Sequence, residues 1–289
     1  MTRTISLVVD EQADGHDLRY FVRRRLGLSA RILTALKYEG AMLRNGRPVR
    51  SIDVLQAGDV LTFSLFDVQG DYTPVEAPLA VLWEDEDFLV IDKPAGMPVH
   101  PSPGHDCDSV LNAAAWYFRD AADFVFRPLY RLDRDTTGAL VLAKNKFATA
   151  AVLDKTYTAV CEGIVPENGV VDMPIGLKPG HTVERCVGVG ARAVTVYRRL
   201  ATDGMHSLVS FQLETGRTHQ IRVHMASLGH PVAGDDLYGG CRDTADRQVL
   251  RCTSVHISCP LLRVNRTIRA DFPDTCKQLF PALFSASGA

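Results

Sequence analysis

Two aspartates, Asp133 and Asp135, stand among Arg131, Arg134, Thr136 and Thr137 in the stretch PLYRLDRDTTGALVLAKN, residues 128–145. Gly138 then leads into an apolar run, residues 139–143, that ends at Lys144 and Asn145. The polar block predicts a loop and the short apolar run predicts a buried strand. A carboxylate is therefore expected at the mouth of a core strand, with Arg131 two residues before it. Loops held by rigid elements commonly carry catalytic groups in this way. The same residues taken alone also fit an ion-paired turn.

A second polar cluster, ETGRTHQIRVHMASLGHPVAGDDLYG, spans residues 214–239. It holds Arg217, His219, Gln220, Arg222 and His224. His219 and His224 are five apart, off the spacing that places two ligands on one helix face, so no metal is expected. Residues 221–228 read as helix, with Ile221, Met225 and Leu228 on one face. Residues 155–165, KTYTAVCEGIV, alternate with period 2 and predict a strand on which Tyr157, Ala159 and Cys161 share a face.

Other elements must frame these groups. Residues 81–83 and 88–92 read as paired strands around an acidic turn. KPAG at 93–96 ends the second, because proline cannot donate to a ladder and glycine permits an unusual turn. Helix is expected over 108–118 and from Asn145 to about Leu153. Strands are expected over 193–200 and 207–213, and two more over 253–272 before a short terminal helix. Residues 173–176 read as a turn-rich connection.

The first 65 residues have a different character. Between Arg19 and Arg50 lie nine basic residues against one acid, Glu39, although the whole chain carries a net charge of only −2. Asp17 and Ser29 are candidate caps of two short helices, ending at Gly27 and Gly40. AMLRNGRPV reads as two strands about an Asn45-Gly46 turn, and a Gly58-Asp59 turn follows. Arg23, Arg24, Arg31, Arg44 and Arg47 are the expected phosphate contacts of this face, giving affinity without sequence choice. An acidic, proline-bearing stretch at residues 69–78 predicts a linker. The expected units are therefore 1–70, a linker at 71–80, and 81–289.

The 289 residues have an ordinary apolar fraction, with no run long enough to span a bilayer and no apolar leader core. A cytoplasmic location is expected. Seven cysteines without C-x-x-C spacing argue against a disulfide framework or a zinc site.

Four blocks together resemble the RluA family of pseudouridine synthases: KPAG at 93–96, RLDRDTTG at 131–138, KTYTAVCEG at 155–163 and TGRTHQIRVHMASLGHPVAGDDLYG at 215–239. They occur in the family's order from about Val81 to Phe284. The first 65 residues resemble the α-L RNA-binding module named after the fourth small-subunit ribosomal protein, through Arg31, Leu36, Gly40, Leu43, Asn45, Gly46, Gly58 and Asp59.

The resemblance implies an α+β catalytic domain on a mixed, largely antiparallel sheet, preceded by the small α-L domain. It implies a cofactor-free and metal-free isomerase, expected as a monomer, that converts uridine to pseudouridine in structured RNA. Large-subunit ribosomal RNA stands first among substrates and transfer RNA second. Asp133 matches the catalytic aspartate, which attacks the ribose at carbon 1′ or takes a proton from carbon 2′. Tyr157 matches the residue against the target base, and Arg222 the arginine paired with the aspartate. Arg131 matches an arginine that helps fill the space left by the flipped nucleotide. Ile221 is expected near the base, and Lys93, Arg217, His219 and Gln220 have donors suited to phosphate or loop support.

Three positions depart from the pattern. Tyr130 stands where a histidine is usual, Thr137 where a serine is usual, and Arg251 where relatives often carry a histidine. These bear on the RNA substrate more than on the chemistry. The rival readings are a catalytically inactive RNA-binding or ribosome-assembly protein on the same fold, and a carboxylate hydrolase of nucleosides or glycosides. The hydrolase would need a second carboxylate at a set separation, for which Asp135 is the near candidate.

Overall fold

Residues 2–67, 72–102, 104–121 and 125–285 are described by the structure, a computed structural model. Strands β1 (Thr2–Val8), β2 (Ala41–Arg44), β3 (Arg47–Pro48) and β4 (Val60–Phe66) form a four-stranded sheet in the order β1-β4-β2-β3. Asn45 and Gly46 both take left-handed backbone angles, as a tight hairpin requires. Asp17 and Ser29 cap as expected, accepting from the amides of Tyr20 and Ile32. The first helix is shorter than its apolar spacing predicts. α1 (Leu18–Tyr20) passes into a π-type turn at Phe21–Arg25, and Arg23 reaches across it to the Leu28 carbonyl at 2.8 Å. The second, α2 (Ala30–Tyr38), buries Ile32, Leu33 and Leu36.

The expected linker falls partly on residues 68–71, outside the described residues. Its remainder has no regular structure yet is tied down: Asn112 donates to the Thr73 carbonyl at 2.9 Å, and Tyr72 stacks on Phe126.

The larger sheet contains β5 (Ala80–Glu84), β6 (Phe88–Lys93), β7 (Arg127–Pro128), β8 (Thr137–Ala143), β9 (Val152–Glu162) and β10 (Asn168–Asp172). It is completed by β13 (Val194–Thr202), β14 (His206–Leu213), β15 (Leu250–Cys259) and β16 (Val264–Arg269). Its main path runs β10-β13-β14-β9-β15-β8-β6-β5. Every pairing is antiparallel except β15 with β8, so the sheet is mixed and largely antiparallel as expected. Leu89, Val90, Leu140 and Val141 are fully buried, each worth roughly 1.5–3 kcal/mol of transfer free energy. Most buried apolar residues of both sheets form one cluster, from Ile5 and Phe63 to Val255 and Ile257, while Val160 and Leu208 pack in a second with Phe272 and Phe280.

Several sequence expectations need correction. The helix expected after Asn145 is a single 3₁₀ turn, Phe147–Ala150, and β9 already begins at Val152. The connection at 173–176 contains β11 (Ile175–Leu177), which pairs with β12 (Arg185–Val187) in a small separate sheet. Burial along β9 does not alternate, because residues 157–161 are covered on both faces. α3 (Val110–Tyr117) begins in a Ser109–Asn112 capping box. α4 (Gln220–Ser227) buries Ile221 and Met225 but leaves Leu228 more than a third exposed. The chain closes with α5 (Asp274–Leu279) and α6 (Pro281–Ser285).

The parallel pairing of β8 and β15 explains one glycine. Gly138 has φ of +103°, and a Cβ there would lie 2.2 Å from the Cys252 carbonyl oxygen. Only a residue without a side chain allows β15 to approach the mouth of β8 so closely.

Candidate active site

Asp133 sits just before β8, and its loop is tied to β6 by Lys93. In register, Lys93 stands opposite Gly138. Its ammonium donates to the carbonyls of Pro94 and Met97 at 2.7 Å and of Arg134 at 2.8 Å. Three donors meet three acceptors, and the side chain is wholly buried. Burial pushes Lys93 down to about 8, against the nearby charges of Asp135 and Asp133. Of the two expected uses of its donors, phosphate contact or loop support, Lys93 takes the second and clasps the KPAG turn to the aspartate loop. It has no N–H left for a phosphate.

Asp135 turns away from the cleft chemistry. It accepts from the Gly96 amide at 3.1 Å, from Arg134 at 2.9 Å and from Arg247 at 3.3 Å. Burial alone would raise its pKa, but the Arg134 hydrogen bonds, with Arg134 and Arg247 charges, hold it below the ordinary value. It is an orienting group of the turn.

Asp133 opens onto a cleft of about 550 Å³ that is also lined by Arg131, Tyr157, Ile221, Arg222 and Lys155. Burial raises its pKa, opposed by the charges of Arg222, Arg131 and Lys93. This balance keeps a carboxylate in a poorly hydrated place more basic than in water, beside cations that favour its charge.

Arg222 on α4 is the nearest guanidinium, 3.8 Å from Asp133, beyond hydrogen-bond length. Its two-point partner is a different carboxylate. Nε and Nη2 donate to Asp235 at 2.6 and 2.7 Å, and Asp235 is only 1% exposed. The expected pairing with Asp133 is therefore a longer-range charge contact, because the fork is already oriented by Asp235. Arg222 also lies over the Tyr238 ring, 5.0 Å from its centre. Asp235 and Tyr238 belong to the GDDLYG end of the last block but were not singled out in it. Nothing in residue type separates Asp235 from Asp236.

Tyr157 stands on β9 opposite Cys252 and Phe211. It is 6% exposed, lines the cleft, and its hydroxyl makes no hydrogen bond among the described residues. Burial first, then Cys252 and Asp133, raises its pKa well above the ordinary phenol value. It is thus a neutral phenol at physiological pH. Receiving a proton from ring carbon 5 would require it to pass on its own.

The remaining expected residues divide. Arg131 is exposed at the cleft with no ion pair among the described residues. Ile221 is buried at the cleft wall. Arg217 lines the cleft, with Nε bonded to the Arg192 carbonyl at 3.0 Å. Gln220, expected to serve phosphate or loop support, is internal. Its amide donates to the Val194 carbonyl and Thr195 hydroxyl, while its oxygen accepts from Thr215 and the Arg217 amide. All of that ties α4 to β13.

His219 has φ of +58°, a left-handed angle that costs a histidine about 1 kcal/mol or more. Its Nδ1 lies 2.7 Å from the Tyr238 hydroxyl. Burial, with Arg222, Arg185 and Arg131 acting against Asp235, pushes His219 down to about 4. It is neutral at pH 7 and brings no charge to a phosphate. A second hollow of about 390 Å³ shares Asp133, His219 and Arg222 with the cleft.

Tyr130, at the departure from the family pattern, donates to the Ala139 carbonyl at 2.6 Å, and Lys155 lies over its ring at 5.0 Å. Arg251, another departure, bonds Asp92 at 2.5 Å and the Ala270 carbonyl at 2.9 Å, bracing β15 against β6. Among the arginines of the smaller sheet, Arg24, Arg31 and Arg47 are exposed without an ion pair among the described residues. Arg23 and Arg44 are engaged with the Leu28 and Val54 carbonyls.

The cleft thus brings together a carboxyl group whose pKa is raised by burial, a guanidinium oriented by Asp235 and the buried ring of Tyr157. The comparisons supply the family. A family model described as RNA pseudouridylate synthase matches residues 87–227. An uncharacterized RNA pseudouridine synthase of Bacillus subtilis is 33% identical over 98% of both chains. The ribosomal large subunit pseudouridine synthase D of Pseudomonas aeruginosa is 38% identical over 70% of this chain and 67% of its own. Human RNA pseudouridylate synthase domain containing 1 superposes with a TM-score of 0.57 at 26% identity, covering 72% of this chain and 87% of that one. The chain belongs to the RNA pseudouridine synthase family, and it is an isomerase acting on RNA.

Proposed function

We propose that this enzyme isomerises uridines of large-subunit ribosomal RNA, with Asp133 as the group that acts on the ribose. The observation that carries the catalytic reading is Asp133 itself: one partly covered carboxylate, raised by burial and faced by Arg222 and Arg131. Attack at carbon 1′ and proton removal at carbon 2′ both need it ionised. The bond from ring nitrogen 1 to carbon 1′ breaks, the uracil turns, and ring carbon 5 bonds carbon 1′. Carbon 5 then loses a proton and nitrogen 1, freed from the ribose, gains one; Tyr157 is placed to relay the proton that leaves carbon 5. Burial of the carboxylate with a bidentate Arg222–Asp235 pair behind it supports a preorganised site.

The ribosomal assignment is supported by the Pseudomonas aeruginosa relative, a ribosomal large subunit pseudouridine synthase. Residues 1–70 act as the RNA-anchoring unit through Arg24, Arg31 and Arg47, and residues 81–289 as the catalytic unit. The protein works as a cytoplasmic monomer, and transfer RNA is the second substrate class. Among the described residues no helix is long and apolar enough to cross a membrane.

Pseudouridine mapping of total RNA tests the reading. Cells lacking the gene are compared with the same cells given the native protein or Asp133→Ala. Large-subunit sites that vanish, return with the native protein and stay absent with the variant are expected. Sites confined to transfer RNA would overturn the ribosomal assignment, and equal return with Asp133→Ala would overturn the catalytic one.

A further inference from the structure

Arg185 is not among the residues whose type and spacing suggested chemistry. It stands on β12, in the small hairpin outside the main sheet. Its backbone amide donates to the Tyr238 hydroxyl at 3.0 Å, the same hydroxyl that lies 2.7 Å from His219. Tyr238 in turn carries Arg222 over its ring. One tyrosine therefore fastens the hairpin to the catalytic wall, and Val183, two residues before Arg185, lines the second hollow.

Among the described residues Arg185, like Arg131, lacks the carboxylate partner that other arginines around the site have. Arg134, Arg222, Arg242, Arg247 and Arg251 each have a carboxylate oxygen within 4 Å. Arg185 forms no ion pair or side-chain hydrogen bond among the described residues, and its Nε is buried without an acceptor. Native structures rarely leave a buried donor on a permanent cation unmatched. The guanidinium fork fits two oxygens of a phosphate. Its charge already reaches His219, where it acts with Arg222 and Arg131.

We propose that Arg185 is a substrate-binding residue that takes a backbone phosphate of the RNA beside the flipped uridine. This rests on the synthase reading above. The hairpin acts as the strut that presents the half-buried side chain, and the phosphate supplies, to the part of the guanidinium left accessible, the counter-charge that no carboxylate of the described residues provides. Such a contact holds the strand in place without choosing its sequence.

The test uses the full-length protein and a large-subunit ribosomal RNA transcript, with Arg185→Ala and Arg185→Lys. Losing a charge-assisted contact is expected to raise KM about tenfold or more. The turnover number should stay within about twofold, because a phosphate contact is uniform binding. The slope of log affinity against log salt should shrink by about one unit in Arg185→Ala and stay near native in Arg185→Lys. An unchanged salt slope in Arg185→Ala, with a fallen turnover number or melting temperature, would make Arg185 a structural residue and overturn the proposal. Native protein that binds the transcript without modifying it would count against the ribosomal synthase reading alone, since the salt slopes still report on Arg185. Native protein that fails to bind it would remove both.

Discussion

The two ends of the central strands β6 and β8 are built from the same residue types and treat them differently. At the end where Phe88 faces Ala143, charges are closed against one another. Arg3 clasps Asp87 at 2.8 and 3.0 Å and Glu86 at 2.7 Å. Lys144 pairs with Glu84, and Lys146 joins Glu39 and the Phe66 carbonyl, linking the smaller sheet to the larger. At the end where Lys93 faces Gly138, pairing is incomplete. Arg131 and Arg185 have no carboxylate within ion-pair distance among the described residues, and Asp133 has Arg222 only at 3.8 Å. Closed pairs hold architecture; at the open end, among the described residues, Asp133 has no hydrogen-bonded cation while Arg131 and Arg185 have no carboxylate, an imbalance suited to a polyanion.

The sharpest break in that contrast is Asp133→Asn. Turnover should fall by at least about 10⁴-fold, as when a reacting group is removed from an enzyme. The fold should gain at neutral pH. Because burial raises the folded pKa of Asp133, its ionised form disfavours the folded state above that pKa. The penalty fades as pH falls and is gone below the ordinary value of 3.8. Denaturant melts of both proteins at pH 7 and pH 3 check the sign.

Arg222→Met should do the reverse to stability. It leaves Asp235 buried without its partner, which destabilises by roughly 3–5 kcal/mol, and activity falls as well. Urea unfolding separates this from Asp133→Asn, where activity falls but stability does not.

Lys93→Met leaves three carbonyls without their donor and loosens the aspartate loop. A turnover loss of about 10²-fold with little change in KM is expected, since a misplaced reacting group affects the chemical step. A rise in KM alone would instead return Lys93 to phosphate binding.

A smaller effect concerns pH. The acid limb of kcat/KM should lie above the ordinary aspartate value. Arg131→Ala should move it further up, because one cation opposing the burial effect is gone. At the closed end, Arg3→Ala should cost only about 1 kcal/mol and leave the turnover number intact, as part-exposed ion pairs do.

Much of the local structure was legible. Asp17, Ser29 and the Asn45-Gly46 turn act through neighbours a few residues away, so residue type and spacing suffice. The apolar run after Gly138 is a buried strand with Asp133 at its mouth for the same reason. The helix expected beyond Asn145 failed because β9 pairs with β15 from Val152 onward, and pairing with a strand about a hundred residues later has no local signature.

The sequence by itself determined which chemistry was present: four blocks in order, an aspartate loop on a core strand, and a tyrosine and an arginine in the strand and helix that flank it. Tertiary structure alone decided how those charges are shared. It gave the Arg222 fork to Asp235 rather than Asp133, buried Lys93 as a clasp, turned Gln220 inward and left Arg185 unmatched. Backbone preference is set by contacts within a few residues along the chain. A choice among chemically identical carboxylates is set by distance and burial, which exist only once the sheet has closed.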